Sequence, residues 1–125
     1  MNQIPITQTN RSSKYDLEER TYQFARGVAL FSKKIPGNVS NIEYTRQVIR
    51  ASGSVGANYI EANESLSKKD FAMRLKISRK EAKEAVYWLR LIVDTNSDDF
   101  TRDGLSLIKE TTELKKIFSS IIDKT

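Results

Sequence analysis

Histidine and cysteine are both missing from this chain of 125 residues, and only two prolines and five glycines interrupt it. Without imidazole there is no His-ligated metal site, no Ser-His or Cys-His nucleophile and no Glu-x-x-His ligation of a di-iron bundle. Without thiols there are no disulfides, thiolate metal sites or thiol nucleophiles, and no need for an oxidising compartment. Long apolar runs are lacking too. The best stretch, Val86 to Val93, is cut by Arg90 and falls short of the ~20 residues of a membrane span. The opening residues, Met1 to Ser13, lack the hydrophobic region of a secretory signal. The expectation is a cytoplasmic protein outside most classes of enzyme.

What remains is charge and amphipathic pattern. The 21 Lys and Arg against 16 Asp and Glu leave a net charge of +5, in a chain that is 38% hydrophobic and 30% charged. Such a balance suits polyanionic partners, and the length suits one domain of ~100 to 150 residues. Residues 1–13 are polar, contain Pro5 and show no periodicity, so an extended or disordered arm is expected there, followed by one domain over 14–125.

Beyond the arm, apolar residues recur in alternating steps of four and three, the mark of an amphipathic helix. Leu17, Thr21, Phe24, Val28, Phe31 and Ile35 share one face of a first helix that Pro36-Gly37 stops. Ser40-Asn-Ile-Glu43 reads as a capping box opening a second helix to about Leu66, with Thr45, Val48, Ser52, Val55, Tyr59 and Ala62 inward. Ser67-Lys-Lys-Asp70 opens a third on Phe71, Leu75, Ser78, Ala82, Ala85, Leu89 and Ile92. Asn96 to Asp99 breaks it, and a fourth runs from about Thr101 to Lys124 on Leu107, Thr111, Leu114, Phe118 and Ile121. Four amphipathic helices with short connections predict an all-α, antiparallel up-and-down four-helix bundle.

Gly53 and Gly56 each cost ~1 kcal/mol relative to Ala inside a helix, so a close helix approach must offset them. The small residues Gly53, Ser54, Gly56 and Ala57 cover more of the second helix than one neighbour needs, which predicts a contact between subunits. Arg50 and Glu61, opposite the inner line, would set its register.

Four spaced segments carry a family likeness: Arg46-Gln-Val-Ile-Arg50-Ala-Ser, Gly56-Ala-Asn58-Tyr-Ile-Glu61-Ala, Asn63-Glu-Ser-Leu-Ser67-Lys-Lys-Asp70-Phe71 and Lys80-Glu-Ala-Lys-Glu84-Ala-Val-Tyr87-Trp88-Leu-Arg-Leu91. In this order they resemble the bacterial four-helix-bundle proteins encoded in intervening sequences of 23S ribosomal RNA genes, over roughly Tyr15 to Val93. The resemblance implies a compact bundle assembling into a ring-shaped homopentamer. A related branch, the accessory variability protein of diversity-generating retroelements, uses a basic bundle surface to bind nucleic acid and a reverse transcriptase.

The third helix carries the sharpest charge feature. From Lys68 to Lys83 seven basic residues face only Asp70 and Glu81, a local net of +5. At ~100° per residue, Lys69, Lys76, Lys80 and Lys83 fall within about 60° of one another, opposite the core. With Arg79 they form the expected nucleic-acid-binding set, which would release counterions from phosphates without reading sequence. The bland alternative is a solvated helix face that keeps the bundle soluble. Tyr87 shares the stripe's angle and is placed to stack on a base, although an aromatic here also serves packing or a subunit contact.

No Gly-rich phosphate loop or recognition-helix pattern accompanies these residues. A rival reading comes from Glu61-x-x-Glu64 and Glu81-x-x-Glu84, which on consecutive helices would offer four oxygen ligands to Mg²⁺, as in all-α nucleotide pyrophosphohydrolases. The expected function is a non-enzymatic oligomeric bundle, without cofactor or metal, that binds RNA or DNA with little sequence preference. The alternatives are a structural or protein-interaction module and the Mg²⁺-dependent enzyme.

Overall fold

The computed structural model describes residues 13–125, so the arm expected over residues 1–13 lies, apart from Ser13, outside the described residues. Four helices follow in order, α1 (Ser13–Lys34), α2 (Val39–Asn63), α3 (Lys68–Thr95) and α4 (Thr101–Asp123), with a 3-10 turn at Asp98–Phe100 before the last. α1 packs on α2, α2 on α3, α3 on α4, and α4 returns to α1. Short connections reverse the chain each time, which makes this an up-and-down bundle around a single core.

The inner lines read from periodicity are the lines that are buried. Val28, Val48, Val55, Leu75, Leu89, Ile92, Leu114 and Phe118 are wholly inaccessible to solvent. Each large apolar side chain so buried contributes roughly 1.5–3 kcal/mol. On the seam between α2 and α3 the buried residues are mostly small: Ala51, Ser52 and Ala62 on one helix, Ser78, Ala82 and Ala85 on the other. Small side chains let these helices approach closely, and the Ser78 hydroxyl donates across the seam to the Val55 carbonyl at 2.9 Å.

Helix starts follow side-chain caps. Ser67 is extended, and its hydroxyl accepts from the Asp70 amide at 3.1 Å, as its spacing predicts. The start of α2 differs from the expected box. Asn38 is the cap, accepting from the Asn41 amide at 2.8 Å, while Ser40 lies inside the first turn. Glu43 does not reach back; Arg46 and Gln47 on its own helix donate to it at 2.6 and 2.9 Å. The end of α2 comes at Asn63 rather than Leu66, which is almost fully exposed.

Two glycines mark close crossings. A Cβ at Gly104 would lie 2.3 Å from Val93 Cγ2, and one at Gly56 would lie 2.8 Å from Thr21 Oγ1. Gly56, expected from the sequence at a contact between subunits, therefore serves the contact of α2 with α1 inside one chain. Gly53 differs, because a Cβ there would meet nothing within 4 Å.

Candidate functional site

A groove of about 510 Å³ runs along α3 where it borders α4. Lys80, Lys83 and Arg90 come from α3 and Lys115 from α4, with Val86 and Tyr87 supplying apolar surface and Glu84 the single acid. Helical spacing explains the α3 contribution, since positions 80, 83, 87 and 90 recur in steps of three and four and share a face. None of the four cations enters an ion pair among the described residues. Four positive charges, none closed into an ion pair and only Lys80 felt by the one carboxylate, Glu84, make a concave positive surface that attracts anions.

The one acid is turned to other work. Arg50 of α2 pairs with two acids of α3, reaching Glu81 at 3.2 Å and Glu84 through its second terminal nitrogen. The Trp88 indole N–H donates to the same Glu84 oxygen at 3.1 Å. The Trp88 bond, helped by Arg50, holds the Glu84 carboxyl below its ordinary range against the opposing effect of burial. Reciprocally, the hydrogen bond to Glu84 raises the Arg50 guanidinium. Trp88 is flanked by aromatic rings, with Tyr44 at 6.1 Å and Tyr87 at 5.0 Å in an edge-to-face contact of 82°. Tyr87 itself is 57% exposed at the groove.

The predicted basic residues divide along α3. Lys80 and Lys83 line the groove. Lys69 and Lys76 are exposed nearer the start of the helix. Arg79 leans onto α4, where it donates to the Ser119 hydroxyl at 3.2 Å. Arg90 and Lys115 were missed. Arg90 carried a usable signal, seven residues after Lys83, whereas Lys115 depends on the register of α4 against α3, which neither helix's own periodicity contains.

The residues expected at a subunit contact also separate. Arg50 is engaged inside the chain by Glu81 and Glu84, and Gly56 lies against α1. Gly53, Ala57 and Glu61 are exposed, and Ser54 is half-buried with its carbonyl accepting from Asn58 Nδ2 at 2.9 Å. Beside Gly53 runs an apolar stripe that sequence reading passed over: Ile42, Ile49 and Ile60 are 62%, 47% and 47% exposed. Their separations of seven and eleven residues put them on one line of α2.

The four carboxylates of the Mg²⁺ alternative do not converge. Glu81 and Glu84 point to Arg50, and no group of three or more acidic ligands is gathered among the described residues. No helix among them is long and apolar enough to cross a membrane.

Residues 13–120 match the family model of the 23S rRNA-intervening sequence protein. The chain belongs to that family. The match runs past Val93 through most of α4, so it takes in the whole basic groove. A similar fold is seen in a 1.70 Å crystal structure of a protein of unknown function from the S23 ribosomal protein family of Bacteroides thetaiotaomicron VPI-5482. It is 30% identical, with a TM-score of 0.74 over 90% of this chain and 99% of that one. No curated protein matches the chain. The fold is thus that of the 23S rRNA-intervening sequence family.

Proposed function

We propose that the protein is a non-enzymatic, self-associating helical bundle that binds the phosphate backbone of RNA or DNA with little sequence preference. The observation that carries this reading is the convergence of Lys80, Lys83, Arg90 and Lys115 on one groove, where no carboxylate among the described residues pairs with them. Phosphates satisfy such cations while releasing counterions, and a groove without base-reading geometry has no means of selecting a sequence. Self-association is supported by the exposed line of Ile42, Ile49 and Ile60 beside the open Cβ space of Gly53. A ring of copies, such as the pentamer that the family resemblance implies, would repeat the groove and raise avidity. The reverse-transcriptase partner of the related branch belongs to the same reading.

Binding of a generic oligonucleotide at several salt concentrations tests it. Each phosphate contact adds about 0.9 to the slope of log affinity against log salt on duplex DNA, or about 0.7 on single strands. Reversing Lys80, Lys83 and Lys115 to Glu is expected to weaken binding on every sequence and flatten that slope, with helical content unchanged. A triple variant that binds as tightly as the parent at low salt would leave a solvated face and a purely structural or protein-interaction module.

A further inference from the structure

We infer that the groove takes a single strand in preference to a duplex, with one unpaired base stacked on Tyr87; this rests on the nucleic-acid reading above. Lysines alone would not discriminate, because both forms present phosphates. The discriminating group is an aromatic ring that is 57% exposed in the middle of the cationic groove.

Exposing a large aromatic ring to water is unfavourable, and its neighbour Trp88, like Tyr44 beyond it, is instead half-buried and packed on the core. Tyr87 meets Trp88 edge to face at 82°, so whichever ring supplies the edge, at least one face of Tyr87 stays uncovered by that contact. Its backing is immobilised: Trp88 packs against Tyr44 and donates to Glu84, which Arg50 holds from α2. A platform that is already ordered loses little entropy when a base lies on it. Lys80, Lys83, Arg90 and Lys115 line the same groove, where the sugar-phosphate chain of a stacked nucleotide has to run. Bases within a duplex are stacked on each other and offer only their edges, so a duplex gains nothing from Tyr87, whereas an unpaired base of any identity offers a face.

The test compares the full chain with Tyr87→Ala, Tyr87→Leu and Tyr87→Phe on three probes of equal length: an unpaired oligonucleotide as DNA or RNA, the corresponding duplex, and an abasic strand carrying phosphates without bases. Filter binding at low salt reads affinity, and circular dichroism confirms that each variant keeps its helices. Tyr87→Ala and Tyr87→Leu are expected to weaken binding of the unpaired strand by about 5- to 140-fold, the range for one stacked base. Duplex and abasic binding should hold, and Tyr87→Phe should behave as the parent. Equal loss on all probes, no loss on any, or abasic binding as tight as that of the intact strand overturns the stacked base. If the probes bind alike, in a salt-dependent way that Lys83→Glu weakens, only this inference falls. If no probe binds at low salt, the nucleic-acid reading falls with it.

Discussion

Asn41 and Asn96 face each other amide to amide, each donating to the other's carbonyl oxygen at 2.8 and 3.0 Å. Asn41 is buried, and its amide also reaches the Pro36 carbonyl at 2.9 Å, while Asn96 reaches the Ile92 carbonyl at 2.8 Å. One polar knot thereby ties the turn between α1 and α2 to the end of α3.

Replacing Asn96 with Ala should leave the buried Asn41 side-chain carbonyl without a donor and cost about 1–3 kcal/mol. Urea unfolding checks this: the midpoint should fall with the slope unchanged. A neutral result would mean that water replaces the lost partner.

Three glycines should respond differently to Ala. Gly104→Ala drives a methyl into Val93 and should destabilise by about 1–3 kcal/mol, as overpacking does. Gly53→Ala enters open space in mid-helix and should stabilise the bundle by up to about 1 kcal/mol. Gly56→Ala falls between, because the helix gains propensity while Thr21 is crowded, and Thr21→Ala in the same chain should restore the gain. Thermal melts of the four variants give the order.

The carboxyl of Glu84 titrates below its ordinary value of 4.5, chiefly because Trp88 donates to it and Arg50 assists. The stability it adds is therefore present above that value and is lost as pH falls through the lowered one. With a half-exposed arginine as partner, solvent screening keeps the loss to about 0.5–1 kcal/mol. Melting temperatures from pH 7 down to pH 3 should show a shallower acid decline in Glu84→Gln than in the parent, and parallel curves would remove Glu84 from the account.

Light scattering decides self-association. A chain of 14.3 kDa that assembles through the α2 stripe should give a discrete multiple of that mass. Ile49→Glu with Ile60→Glu should return it to the single-chain value while helical content holds. A parent already at the single-chain mass would remove the assembly.

Helical periodicity made the fold legible, because a bundle buries one line per helix and Leu75, Ala82, Leu89 and Ile92 spell that line out in order. Contacts between distant segments were not legible. Ser40-x-x-Glu43 is locally adequate as a cap, and Asn38 displaces it because Asn41 is drawn into a pair 55 residues away. Arg50 reads from its own helix as a residue opposite the inner line, expected at a subunit contact, and only the packing of α3 brings Glu81 and Glu84 to it. The cationic groove was half visible for the same reason: Lys80 and Lys83 lie in one periodic run, and Lys115 joins them only through packing.

The indole of Trp88 is the only one in the chain, and it sits where α2, α3 and the groove meet. Excitation at the red edge of tryptophan absorption therefore addresses a single position, with no label attached. That position is joined to Glu84 by one hydrogen bond and to Tyr87 by one ring contact, so its emission is expected to follow the charge state of the first and the surroundings of the second. The bundle carries its own optical gauge of the junction on which its groove is built.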